Sequence, residues 1–188
     1  MYLTYTFFII VAWVIFILYW LVSSFSAKRN LKRDYRFIWL RFGLLALVLL
    51  FFRFAGPGGL NVLSAPLFPG TLFAACGVVL AYAGIGLAVW ARVYLGRNWG
   101  MPMSVKENPE LVTGGPYSYI RHPIYSGVFL AIFGSALASN AWWLIVFAPT
   151  LLYFVFSAKS EEKLMLQQFP DQYPEYMKRT KAFIPFVW

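Results

Sequence analysis

Residues 2–25 carry no charge, and five basic residues then fall within positions 28–36. An uncharged run of that length crosses a bilayer core of about 30 Å as a helix. No basic segment precedes it and no small-residue cleavage site follows, so a transmembrane helix is expected there, not a cleaved signal peptide. Residues 37–52 predict a shorter second span, with Arg41 and Arg53 placed to reach the interface. Gly56-Pro57-Gly58-Gly59, Pro66 and Pro69-Gly70 mark a loop. Residues 71–91 predict a third span, on which Gly77, Gly84 and Gly86 offer small faces for close helix packing.

A polar, Gly- and Pro-punctuated interval follows, and residues 123–158 are then again free of charge. That run is too long for one helix and short for two full crossings. Ser139-Asn140 and Pro149 interrupt it, which predicts a helical hairpin with its tip near Asn140 and arms of about 16 residues, roughly 24 Å each. The tail continues as a helix through Glu161-Glu162 and is bent by Pro170 and Pro174. Tyr173, Tyr176, Phe183 and Trp188 give it an interfacial character. The expected fold is all-α: a multi-pass membrane protein of about five membrane helices, the last two a hairpin. Residues 1–90 hold the first three helices, and residues 91–188 hold the chemistry.

Composition strengthens this picture. The chain is 61% hydrophobic and 12% charged, against about 25% charged in ordinary soluble domains, so lipid must be part of its solvent. A net charge of +9 invites a nucleic-acid reading. The basic residues flank apolar spans instead of forming a soluble patch, so no nucleic-acid partner is expected and contact with anionic membrane lipid is. The Lys/Arg bias puts positions 28–36, 92–122 and the tail on the cytoplasmic side. Cys76 stands alone, which excludes an internal disulfide, and reads as a small buried hydrophobe. His122 is the single histidine, so a multi-imidazole metal site is excluded and no metal is expected.

Candidate chemistry gathers in the interval around His122. Pro123 suits the first turn of a helix, which puts His122 near the N-cap, where it could donate to a ligand carboxylate. The plainer reading is an interface histidine beside a snorkelling Arg121. Glu161-Glu162 closes the same hairpin. Two adjacent acids cannot share a helical face, so one is expected to point inward, available to a ligand ammonium, and the other to water. Gly114-Gly115-Pro116-Tyr117 is a turn that lets backbone approach a ligand closely, but it is no dinucleotide fingerprint. Ser118 and Ser126 lack the elbow of a serine hydrolase. Lys178, Arg179 and Lys181 fit either membrane anchors or binders of a substrate carboxylate.

Taken together, Leu111-Val112-Thr113-Gly114, Pro116-Tyr117, Arg121-His122-Pro123 and Tyr125-Ser126-Gly127 resemble the isoprenylcysteine carboxyl methyltransferase family. So does the second block, Glu161-Glu162, Leu164, Phe169, Tyr173, Tyr176 and Ile184-Pro185. The resemblance covers about residues 90–188 and extends to phospholipid N-methyltransferases. It implies a membrane enzyme that uses S-adenosylmethionine, bound on the cytoplasmic side by Val112, Gly115, Tyr117, His122, Tyr125 and Glu162, with Glu161 possible. It also implies a lipophilic or prenylated substrate entering from the bilayer. An arginine expected shortly before the Ile184-Pro185 pair is replaced here by Ala182, leaving Arg179 and Lys181 as the neighbouring cations.

A methyl transfer asks for alignment and a dry cavity more than for a nucleophile or a metal. A carboxylate acceptor is already nucleophilic at neutral pH, whereas an amine needs a base, for which Glu161 or Glu162 would serve. The activity that the resemblance implies is methylation of a lipid-like acceptor, a prenylated-cysteine carboxylate or similar amphiphile. The alternatives are phospholipid amine methylation, NADPH-dependent reduction of a sterol or isoprenoid, and a non-enzymatic membrane protein.

Overall fold

The computed structural model describes residues 2–26, 30–33, 66–99, 104–106 and 109–187, with Gly43 and Ala46. The expected second span and the loop at 56–59 otherwise lie outside the described residues, as does Trp188. The described helices are α1 (Tyr2–Ser24), α2 (Thr71–Leu95), α3 (Pro123–Ala138), α4 (Trp142–Gln168) and the short α5 (Gln172–Arg179). Two short strands, β1 (Asn30–Arg33) and β2 (Ser104–Lys106), pair antiparallel with a bulge between Asn30 and Lys32. The sequence pattern did not foresee that ribbon. Stretches within α1 and α4, and the stretch from Thr71 to Asn98, are long and apolar enough to cross a membrane, while α3 is shorter.

Small residues hold α2 against α3. Ala74, Gly77, Ala81, Gly84, Ala88 and Ala91 are all buried on α2, at alternating spacings of three and four that keep them on one seam. On α3 they meet Gly127, Ala131, Gly134 and Ala138. A methyl on Gly84 would lie 2.5 Å from the Gly127 carbonyl oxygen, and one on Gly134 would lie 2.5 Å from the Ala81 nitrogen. The backbones therefore touch, which is how helices associate in lipid, where van der Waals contact replaces the hydrophobic drive. Gly77 and Gly84 act as expected. Gly86 faces open space, and Cys76 is exposed instead of buried, because each lies off the seam.

α1 leans on this pair. Ile9 packs with Ala81 and Ala138, and Ala12 with Ile85 and Ala131. Trp13 donates from its indole nitrogen to Ser135 Oγ at 3.0 Å and stacks on Trp143 at 5.4 Å. At its other end, buried Arg92 of α2 donates to the carbonyls of Gly96 and Ser23, tying α2 to the end of α1. Its guanidinium lies 4.7 Å over the Trp99 ring.

The hairpin tip falls at Asn140, whose side-chain oxygen accepts from the Trp142 backbone N–H. Its arms are unequal. α3 has 16 residues, but α4 runs for 27, straight through Pro149. The charged continuation after Ala158 consists largely of strong helix formers (Lys, Glu, Leu, Met, Gln), so the helix has no reason to stop at the edge of the apolar run. At 1.5 Å per residue α4 is roughly 40 Å long against roughly 24 Å for α3. Its last turns thus overhang the start of α3. Tyr173, Tyr176 and Phe183 lie against the protein, at 3%, 3% and 5% exposure. This corrects their expected place at a membrane interface.

Candidate active site

The overhang of α4 and the start of α3 enclose a cavity of about 570 Å³. Pro123 occupies the first turn of α3 and His122 its N-cap. Antiparallel packing then sets His122 beside Glu161 and Glu162. Its Nδ1 lies 3.5 Å from Glu161 Oε2 and its Nε2 lies 3.2 Å from Glu162 Oε1. The expectation that one of the two acids faces water is therefore corrected. Adjacent helical positions point about 100° apart, and a single imidazole lying between them meets both.

Each carboxylate has a second partner. Tyr125 donates its hydroxyl to Glu161 Oε1 at 2.5 Å, and Arg121 donates from Nε to Glu162 Oε1 at 2.7 Å. His122 is buried, which by itself lowers an imidazole pKa. The hydrogen bonds and charges of Glu161 and Glu162 together outweigh burial and hold it above its ordinary value. Tyr125 stacks on Phe154 at 4.1 Å, which fixes its ring on the cavity wall.

The tail fastens this cluster from the other side. The backbone N–H groups of Arg121 and His122 donate to the carbonyls of Lys181 and Ala182 at 2.8 and 3.0 Å. Arg121 Nη1 donates to the Thr180 carbonyl, and Ser126 Oγ to that of Phe183. Tyr176 donates its hydroxyl to the Tyr117 carbonyl at 2.6 Å. Burial pushes the Tyr176 phenol up to about 12, so it stays a neutral donor. Tyr117, also buried, is likewise raised.

The structure brings Val112, Tyr117, His122, Tyr125 and Glu161 to the cavity wall. Glu162 lies behind them, held by Arg121 and His122. Gly115 is turned elsewhere. Its φ of +58° is in the left-handed region, and a methyl there would sit 2.6 Å from the Tyr94 ring, so glycine is needed to seat the turn under that ring. Arg179 and Lys181 are exposed and absent from the described wall. Lys181 is placed there because its backbone pairs with Ile120 and Arg121, which directs its side chain away.

Sequence reasoning left out several lining residues. Arg121, taken as a snorkelling neighbour of His122, is on the wall, and so are Phe16 and Trp20 of α1 and Trp99. The Arg-His-Pro triplet carried a signal for Arg121. Nothing distinguished Phe16 and Trp20 from aromatics that face lipid.

Over 114 residues the chain is 34% identical to the cobalt-zinc-cadmium resistance protein CzcN of Cupriavidus metallidurans, covering 57% of this chain and 49% of that protein. It is 30% identical over 101 residues to a protein-S-isoprenylcysteine O-methyltransferase of Schizosaccharomyces pombe, covering 52% and 43%. Over 78 residues it is 33% identical to methanethiol S-methyltransferase 1 of Bradyrhizobium diazoefficiens, covering 42% and 27%. The chain spans about half the length, or less, of these curated relatives. The phospholipid methyltransferase family model matches residues 72–172, which include the glycine seam, the His122 cluster and both glutamates, and by that match the chain belongs to this family.

Proposed function

We propose that this protein transfers a methyl group from S-adenosylmethionine to a lipophilic acceptor in the membrane, in a cavity that faces the cytoplasm. One observation carries the reading: a buried carboxylate and imidazole cluster opens onto an aromatic-walled cavity at the end of the apolar helices. Its volume falls in the range of about 300–1,000 Å³ typical of small-molecule sites. The donor set suits a cationic ligand that also carries a planar group. Tyr117, Tyr125, Trp99 and Phe154 put aromatic rings on the wall, which suits a cation or a base, and Glu161 lines the same wall, where it suits an ammonium.

S-adenosylmethionine, when bound, supplies a methyl group already activated on sulfonium. The protein's residues then align and exclude water. Tyr125 and His122 fix Glu161 in place, so its charge needs no rearrangement. Phe16, Trp20, Ile124 and Val128 make the apolar part of the cavity, suited to the chain of an amphiphile. Relatives named for isoprenylcysteine support a prenylated-cysteine carboxylate as acceptor, which is nucleophilic without a base. An amine is the second reading. It is favoured by Glu110 and Glu161 on the wall, where Glu161 would take the proton.

The test is calorimetric titration of the detergent-purified protein with S-adenosylmethionine. Binding is expected, with loss of about tenfold or more for Glu161→Gln and for His122→Ala; a protein that binds nothing sinks the proposal. Membranes labelled with methyl-labelled donor then separate acceptors. A carboxyl ester releases methanol in base, and an N-methyl group does not.

A further inference from the structure

His122 has no hydrogen-bonding capacity left for a ligand, because each ring nitrogen already faces a carboxylate. The other basic side chain on the described cavity wall is Arg121. Its guanidinium is fixed at two of its three nitrogens, Nε on Glu162 and Nη1 on the Thr180 carbonyl. Among the described residues Nη2 has no hydrogen-bond partner, it is not sealed in the interior, and the side chain is 11% exposed. A guanidinium held so rigidly offers a preorganised donor at little entropic cost. Glu161, on the other flank of His122, lines the cavity with a side chain that is 25% exposed. The wall therefore presents a fixed positive group and a fixed negative group with a fully engaged imidazole between them.

We infer that Arg121 and Glu161 form a zwitterion clamp that binds the α-amino-acid end of the methyl donor, with the donor's carboxylate on Arg121 Nη2 and its ammonium on Glu161. This rests on the donor assignment above and adds the orientation of the donor within the cavity. Arg121 is a binding residue in this assignment. Glu162 and Thr180 position it and leave its outward edge free. The tail residues 180–183 thus act on the site through Arg121, without touching the ligand.

The experiment compares ligands that differ by one group. Wild-type protein in detergent is titrated with S-adenosylmethionine, its decarboxylated form, and 5′-methylthioadenosine, which lacks the amino-acid end. The decarboxylated form is expected to bind about ten- to a hundredfold more weakly than S-adenosylmethionine, the usual worth of a charge-assisted hydrogen bond. R121Q should shrink that gap to about threefold or less by weakening S-adenosylmethionine alone, and R121K should keep part of it. The ligand comparison on wild-type protein stands even where R121Q fails to fold. Equal affinity of wild type for the first two ligands overturns the clamp while leaving the donor assignment intact. A full gap persisting in R121Q also overturns it. Absence of binding by any of the three overturns the donor assignment and the clamp together. A free prenylated cysteine whose affinity falls in R121Q, with S-adenosylmethionine unaffected, assigns Arg121 to the acceptor and overturns the clamp.

Discussion

From Gly127 to Ala138, α3 meets α2 backbone against backbone; one turn earlier, from His122 to Tyr125, it borders a cavity and is held by charged and aromatic side chains. The first region depends on the absence of side chains. The second depends on a few polar ones facing each other at hydrogen-bond distance. The two are linked mechanically. A cavity at the end of a hairpin persists only if the arms are anchored elsewhere, and the glycine seam supplies that anchor without occupying the cavity end. Packing at one end thus permits openness at the other.

The largest expected effect breaks the seam. Gly84→Leu must push α3 away from α2, because even the first carbon of the new side chain meets backbone at 2.5 Å. About 3 kcal/mol or more of destabilisation is expected, read as lost thermal stability in detergent. Gly86→Ala, with nothing within 4 Å, should be neutral or stabilising by up to about 1 kcal/mol. Equal behaviour of the two would mean that the helices do not approach this closely.

A smaller effect tests whether the cavity end tolerates a shift. Gly115→Ala puts a methyl 2.6 Å from the Tyr94 ring at a φ of +58°, costing about 1–2 kcal/mol. Donor binding should weaken severalfold, since the turn carries Tyr117 to the wall. Shortening the ring in a Gly115→Ala/Tyr94→Ala double variant should restore part of that loss, and a purely additive result would refute the contact.

The smallest effect concerns pH. The His122 pKa is raised in the folded protein, so its contribution to stability is complete below the unfolded value of about 6.5. It disappears as pH rises through the folded value. Between pH 6.5 and 9 the melting temperature should decline by a few degrees, and the decline should flatten in His122→Gln. An unchanged slope in that variant would locate the titration elsewhere.

The legibility of the two regions differs for a physical reason. Helix spans follow from runs of uncharged residues, and His122 at the N-cap follows from Pro123, because each depends on near neighbours in sequence. The roles of Gly77 and Gly84 were readable as small faces, but their partners were not, since Gly127 and Gly134 carry the same signal as any small residue. Arg121 looked like a snorkelling side chain, and only the pairing of residues 121–122 with 181–182 turns it onto Glu162 and Thr180.

By itself the sequence determined a lipid-solvated bundle of helices, the hairpin tip at Asn140, and the set of titratable groups that could meet at the opposite, open end of that hairpin. Each of these follows from local hydropathy, helix geometry or turn chemistry. Only the tertiary structure decided that both glutamates face one imidazole, that Arg179 and Lys181 stay outside while Arg121 lines the wall, and that α1 supplies Phe16 and Trp20. Those facts depend on the overhang of α4 beyond α3 and on the return of the tail. They are set by distances between residues far apart in the chain, which no local pattern encodes.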